Sequence, residues 1–190
     1  MEKGLTWRST RPGDLFVLLL PLNEQDTPAV QMQRELQAYF GGRPIKPVHI
    51  TCERFELCDK QNLEEIIRCL EQRANLQPPF PVTAFSVEMI KGDFRGGHLL
   101  KWLVHLSDPL SQWIDFVGGI LDAVGATRFY SSLGDMWTVT ALEGIEEMDA
   151  SPYLAQATFP QHLFTARQIL VSRILGPHEH ETLGRFDLLV

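Results

Sequence analysis

The sequence predicts an internally duplicated α+β protein, with two pseudo-symmetric lobes of antiparallel sheet, helices packed outside and a central groove. Two observations carry this prediction. Apolar runs typical of strands alternate with segments of helical periodicity, and the order of these elements in the first half returns in the second. We expect residues 1–190 to form one bilobal domain, with lobe-forming halves near 15–106 and 107–190 and room for strands to be exchanged between them.

The first half shows clear start and stop signals for each element. An apolar run between turn residues predicts the first strand, Thr27-Pro28 begins a helix that Gly41-Gly42 ends, and Pro78-Pro79 ends a second helix. A glycine-rich turn at 92–97 joins two further strands. The expected elements are therefore a strand at 15–22, a helix at 27–40, a strand from 47 to 57, a helix from 62, and strands at 80–90 and 99–106.

The second half repeats this order. Ser107-Asp108-Pro109 begins a helix that runs to Gly125, and a strand follows at 136–142 in the place that corresponds to the strand at 47–57. Glycine and proline make an irregular segment the expectation for residues 143–163. A last strand pair is expected at 165–175 and 183–190, around a polar turn at 176–182.

Composition excludes several classes of protein. A net charge of −7 and a pI near 5.3 argue against a protein that grips long nucleic acid through many phosphates, although a short RNA end or small nucleotide remains a suitable partner. Three cysteines without metal-ligand or disulfide spacing favour a cytoplasmic protein. The longest apolar run, at 15–20, is too short to span a bilayer, and the N-terminus is polar. The oligomeric state is left open.

The strand at 47–57 carries the main chemical signal. Alternation on a strand predicts that His49, Thr51 and Glu53 share one face, while Ile50 and Cys52 face the core. An imidazole can move a proton and a neighbouring hydroxyl can hold an oxyanion, so this face is a candidate active site. Because Cys52 points away from His49, it is not expected to act as a nucleophile.

His49-Ile50-Thr51 and the duplicated layout together resemble the 2H phosphoesterase superfamily, which includes the 2'-5' RNA ligase-like proteins and the cyclic nucleotide phosphodiesterases. The resemblance implies one His-x-Thr/Ser motif in each lobe, facing the other across a central groove. It also implies that one imidazole deprotonates water or a ribose hydroxyl while the other protonates the leaving oxygen. The hydroxyls would steady the phosphoryl oxygens, and neither a metal nor a cofactor is implied.

The second motif departs from the family pattern. The strand at 136–142 offers Thr138-Val139-Thr140 where the family has its second histidine. Threonine near neutral pH acts neither as a general base nor as a general acid, and loss of one such group typically costs roughly 10²-fold to 10⁴-fold in rate. The candidate catalytic residues are therefore His49, Thr51, Thr138 and Thr140.

Three further residues are candidates for substrate binding: Lys101, His105 and Arg43. His105 reaches the groove if it shares a strand face with Lys101, and a surface histidine at a strand end is the alternative. His162 could reach the groove from a loop, and a solvated loop histidine is the alternative. His178 and His180, in a turn with two glutamates, are candidates for a metal patch, and an exposed polar turn is the alternative.

The first functional hypothesis is a 2H phosphoesterase-like protein that acts on or binds a nucleotide or RNA-end 2',3'-cyclic or 2'-5' phosphodiester by metal-independent acid/base chemistry. The first alternative is a catalytically impaired nucleotide- or phosphate-binding module, which the missing second histidine favours. The other alternative is a protein-interaction protein that kept the fold, which the acidic composition favours.

Overall fold

A computed structural model describes residues 15–21, 27–57, 59, 62–92, 97–129, 137–176 and 179–189. Within these ranges the chain forms ten strands and four helices. The strands are β1 (Leu15–Pro21), β2 (Arg43–Pro44), β3 (His49–Glu56), β4 (Phe80–Lys91), β5 (His98–Val104), β6 (Thr127–Arg128), β7 (Trp137–Ile145), β8 (Gln161–Ala166), β9 (Gln168–Gly176) and β10 (Glu179–Asp187). The helices are α1 (Thr27–Phe40), α2 (Asn62–Ala74), α3 (Asp108–Ala123) and α4 (Ser151–Leu154).

The described strands belong to one antiparallel sheet with the order β10-β9-β1-β3-β7-β5-β4-β8. The two motif-bearing strands, β3 and β7, meet in the middle, and three strands lie outside each of them. The two short strands are exchanged between the halves of the sheet. β2 comes before β3 in the chain but pairs with β7, whereas β6 comes before β7 but pairs with β3. The two halves of the sheet are therefore arranged alike on either side of the β3–β7 pair.

The helices also repeat this exchange. α1 follows β1 but packs on β7 and β8, in the other half of the sheet, and α3 follows β5 but packs on β3 and β6. α2 packs on β9 and β10 and touches α3. The predicted α+β fold with internal duplication is confirmed, since the sheet order and the helix placement both repeat.

The last part of the sequence corrects a prediction. The strand expected at 165–175 is two strands, because β8 ends at Ala166 and β9 begins at Gln168. Ala166 pairs with β4, whereas Gln168 pairs with β10 in the other half of the sheet. One intervening residue spans only two Cα–Cα steps of about 3.8 Å, so the sheet must curve until these strands approach each other. The apolar alternation continues through this crossing, which explains why the sequence suggested one strand.

Other boundaries also differ from the prediction. β7 continues to Ile145 and β8 starts at Gln161, so the segment expected to be irregular is shorter, and it contains the single turn of α4. The two-residue strands β2 and β6 are too short to leave a pattern. The polar lead-in before residue 15, the turn residues 93–96 and His178 lie outside the described residues.

The core lies between the sheet and the helices. Ile50 and Val139 from the central strands, Trp102 from β5, and Leu36 and Trp113 from the helices belong to one buried apolar cluster. The opposite faces of the same strands therefore point away from α1 and α3. None of the helices in the described part of the chain is long and apolar enough to cross a membrane.

Candidate active site

The two motif strands meet at one residue pair. Ile50 of β3 is the antiparallel partner of Val139 of β7, and both side chains are completely buried in the core. Directly opposed residues on antiparallel strands point to the same side, and their chain neighbours point to the other. This pairing places four polar side chains together on the sheet face away from the helices: His49, Thr51, Thr138 and Thr140.

The pairing also sets which of these side chains are neighbours. Counting outward from Ile50 and Val139, His49 lies opposite Thr140 and Thr51 lies opposite Thr138. Such cross-strand neighbours have Cβ atoms about 4.5–5.5 Å apart. A tetrahedral phosphoryl group placed among them is within reach of an imidazole and of several hydroxyl donors.

His49 has a defined proton arrangement. Its Nδ1 lies 2.7 Å from the carbonyl oxygen of Pro47. A carbonyl only accepts hydrogen bonds, so Nδ1 carries the proton, and the lone pair of the neutral ring is then on Nε2. The side chain is partly buried. The hydrogen bond to Pro47 thus leaves Nε2 as the ring atom that could accept a proton.

Lys101 extends this polar face onto β5. It is the cross-strand partner of Thr140, while its chain neighbour Trp102 pairs with Val139 and is buried in the core. Lys101 therefore lies on the same face as the threonines, and on its other side it faces Glu88 of β4. We call the surface formed by His49, Thr51, Thr138, Thr140 and Lys101 the motif face.

The structure corrects the prediction for Glu53. The pairing of β3 with β1 skips Cys52, which is an extra residue that forms a β-bulge. Glu53 consequently joins Cys52 on the helix side, where its carboxylate accepts a hydrogen bond of 2.8 Å from Nε of Arg128. Only 2% of Glu53 is exposed. The predicted sharing of one face by His49, Thr51 and Glu53 is wrong for the third residue, because the bulge reverses the alternation.

The second motif strand contains a matching bulge. The pairing of β7 with β5 skips Ala141, which directly follows Thr140 as Cys52 directly follows Thr51. The side-chain amide of Gln33 donates to the carbonyl oxygens of Ala141, at 2.8 Å, and Ile45, at 3.0 Å. Both motifs are therefore followed by a bulge, a feature that commonly sets side-chain direction beside active sites.

The remaining predicted binding residues lie outside this central group. His105 follows the end of β5, two residues beyond Leu103, which pairs with Thr138, and His105 is exposed. Arg43 lies opposite Glu143 and its guanidinium is 3.4 Å from that buried carboxylate. His105 is therefore adjacent to the motif face, while Arg43 is engaged in an ion pair.

The other candidates from the sequence are also placed. His162 is exposed on β8, three strands away from β7, and His180 is exposed on β10. Among the described residues, no three histidine, cysteine or acidic side chains are grouped so that they could hold a metal ion. Cys52 is 1% exposed beside Trp113, and this burial raises the pKa of its thiol. A buried, protonated thiol fits the prediction that Cys52 is not a nucleophile.

A cavity of about 360 Å³ lies away from the motif residues, although Glu88 borders both places. Its lining includes three carboxylates and no lysine or arginine, so its charge would repel a phosphate. It is lined by Val87, Glu88, Met89, His98, Glu147, Met148, Asp149, Ala150 and Ser151. The motif face is the better candidate for a phosphodiester site.

Two supporting residues escaped the sequence prediction. Gln33 lies in the buried stripe of α1 between Ala29 and Leu36, and a glutamine at an apolar position of the helical period is a signal that was available. Arg128 lies on the two-residue strand β6, whose pairing leaves no periodic signal. Its contact with Glu53 depends on a bulge that the sequence does not reveal.

Solved structures share this fold. LigT of E. coli matches with a TM-score of 0.61 and 14% identity, over 95% of this chain and 100% of that one. TT0787 of Thermus thermophilus matches with a TM-score of 0.61 and 13% identity, over 92% and 97%. Usb1 of Kluyveromyces marxianus matches with a TM-score of 0.52 and 15% identity, over 90% and 98%.

These three neighbours are members of the 2H phosphoesterase superfamily, so the resemblance predicted from His49-Ile50-Thr51 and the element order is confirmed as a likeness of fold. No family model and no curated protein matches the sequence.

Proposed function

We propose that this protein binds and hydrolyses a small 2',3'-cyclic phosphodiester, of a nucleotide or an RNA end, at the motif face, without a metal ion. The observation that carries the proposal is the pairing of Ile50 with Val139. This pairing groups one imidazole and three hydroxyls on one side of the sheet. Lys101, opposite Thr140, adds a positive charge where the substrate is negative.

The chemistry uses side chains alone. Nε2 of His49 takes a proton from a water molecule, whose oxygen attacks phosphorus, and one of the two bonds from phosphorus to the ribose oxygens breaks. The leaving ribose oxygen then takes a proton, so the cyclic diester and one water give a phosphomonoester. The hydroxyls of Thr51, Thr138 and Thr140 donate hydrogen bonds to the non-bridging oxygens as charge increases on them.

The ligands of the fold neighbours support the choice of substrate class. LigT of E. coli has been solved with 3'-AMP and with ATP, and Usb1 of Kluyveromyces marxianus with uridine monophosphate. A nucleotide phosphate is also the ligand that the hydroxyls and the ammonium group of the motif face suit. The acidic net charge favours a small nucleotide or a short RNA end over a long nucleic acid.

His105 is the proposed donor of the second proton, because it is an exposed imidazole just beyond the motif face. A His105→Gln variant should lose about 10²-fold in kcat. In the wild type, the decline of the rate at alkaline pH reports loss of the donor's proton. This decline should be absent from the variant. Profiles of kcat against pH for the two proteins check this prediction, and identical profiles would remove His105 from the mechanism.

The proposed function is tested by incubating the purified protein with each 2',3'-cyclic nucleotide in the presence of EDTA. Turnover to a single phosphomonoester that EDTA does not reduce is the expected result. Turnover that EDTA abolishes would contradict the acid/base mechanism.

A binding module without turnover is the second candidate function. Thr138 favours it, because this residue occupies the place of the second family histidine and supplies no proton at neutral pH. Saturable binding of 3'-AMP with no hydrolysis of any cyclic nucleotide would support this candidate.

A further inference from the structure

An ion pair between a buried carboxylate, that of Glu53, and the more exposed guanidinium of Arg128 lies directly behind the first motif. Glu53 follows Thr51 by two residues, and its carboxylate is almost completely removed from water. Arg128 donates to Oε2 at 2.8 Å, and the backbone N–H of Arg54 donates to Oε1 at 3.1 Å. A buried carboxylate is costly unless it is paired, so the Arg128 guanidinium stabilises this arrangement.

Arg128 connects the motif strand to the helix behind it. It is the pairing partner of Phe55 in β3, and the next residue, Phe129, donates its N–H to the carbonyl oxygen of Arg54 at 2.8 Å. The guanidinium also bonds Asp122 of α3 at 3.3 Å. It lies against Gly118, where an added Cβ would be 3.0 Å from the guanidinium nitrogen, so the glycine leaves room for it.

The ion pair is located where the strand changes its alternation. Without the bulge at Cys52, Glu53 would point to the same face as Thr51 and would put a carboxylate beside the proposed phosphate site. Repulsion between this carboxylate and the negative phosphate would oppose binding. Pairing with Arg128 on the helix side therefore has two effects, since it fixes the bulge and keeps a negative charge off the motif face.

In the other motif, the residue directly after the bulge is apolar. After the matching bulge in β7, the residue corresponding to Glu53 is Leu142, which is completely buried in the core. The neutral amide of Gln33 holds that bulge through the carbonyl oxygen of Ala141. The β7 bulge is thus bonded by a neutral side chain, whereas the residue after the β3 bulge is a buried carboxylate paired with Arg128.

We propose that Arg128 and Glu53 are positioning residues for the first motif: their ion pair holds the bulge after Thr51, orients the His49–Thr51 segment, and keeps the Glu53 carboxylate away from the bound phosphate. The kinetic consequence rests on the proposed function, but the effect on the orientation of His49 does not. The two parts are therefore separable by experiment.

An Arg128→Ala variant tests this proposal with two measurements. Two-dimensional ¹H–¹⁵N NMR of the imidazoles should show altered His49 ring signals, because its segment loses its anchor. With 2',3'-cyclic AMP as substrate, kcat should fall roughly 10²-fold with a smaller change in KM, as expected when a catalytic group is displaced by about 1 Å. Arg128→Lys keeps the charge but loses the forked geometry, so its His49 signals and its kcat should lie between those of the wild type and of Arg128→Ala.

The matched control is Arg68→Ala, which removes the exposed ion pair of Arg68 with Glu65 on α2. It should change neither measurement. A folded Arg128→Ala protein with the wild-type His49 signals would overturn the proposal, and if that variant does not fold, the same result for Arg128→Lys would do so. Absence of turnover in the wild type would contradict the proposed function only, since the NMR comparison still decides the positioning role.

Discussion

A His49→Gln variant is expected to lose about 10²-fold to 10⁴-fold of the turnover of 2',3'-cyclic nucleotides. His49 is the imidazole placed by the pairing of Ile50 with Val139, and its Nδ1 donates to the Pro47 carbonyl oxygen, which leaves Nε2 as the proposed base. Glutamine keeps a similar size and a hydrogen-bonding amide but takes up no proton near neutral pH. Steady-state kinetics of the purified variant measure the loss in kcat.

The control for this loss is His162→Gln, because His162 is exposed on β8 and lies three strands from β7. It should retain the wild-type rate, which excludes a general effect of replacing histidine. Equal turnover by His49→Gln and the wild type would mean that the reaction takes place at another site.

In the His105→Gln protein, which lacks the proposed second proton donor, a further Thr138→His substitution is expected to raise turnover by about 10²-fold. Thr138 corresponds to His49 in the duplicated layout, since each lies two residues before a motif threonine and three before a bulge residue. An imidazole there would restore the second proton-transfer group that the family resemblance implies. The rate should then show a bell-shaped dependence on pH, which kcat measured across pH reports.

The cost of this substitution is limited but measurable. Thr138 is 6% exposed, so a larger side chain must displace its neighbours, typically at about 1–3 kcal/mol of stability. Thermal unfolding of the variant detects that loss. Thr140→His is the matched control, because it removes a hydroxyl and places the imidazole opposite His49, and it should not raise turnover. A folded protein with both Thr138→His and His105→Gln that has the kcat of His105→Gln alone would argue against the assigned equivalence of the motifs.

Much of the fold was predictable from local patterns. The helix-start signals at Thr27-Pro28 and Ser107-Asp108-Pro109 agree with the starts of α1 and α3 in the structure. The passage of the chain from β8 to β9 at Arg167 was not predictable, because the alternation of apolar and polar residues runs on from one strand into the next. Which half of the sheet a strand joins depends on long-range pairing that no local pattern records.

The candidate site was also predictable only where local pattern decides the position of a residue. Strand alternation correctly placed Ile50 in the core, and the pairing with Val139 groups the threonines with His49. Glu53 was misplaced because a bulge adds one residue without a sequence signal of its own. The partners of the bulges, Arg128 and Gln33, lie far from the motifs in sequence, at separations of 75 and 108 residues from the groups that they bond.

The central claim is that His49 and the threonines of both strands form one phosphate site, and an NMR titration tests it most directly. The protein is labelled with ¹⁵N, and 3'-AMP is added while the His49 ring signals and the backbone amides of Thr51, Thr138 and Thr140 are followed. The claim predicts that all of them shift with one saturation curve, and that inorganic phosphate competes. Saturable shifts confined to the acidic cavity around Glu147, or an unchanged His49 ring at saturation, would contradict it.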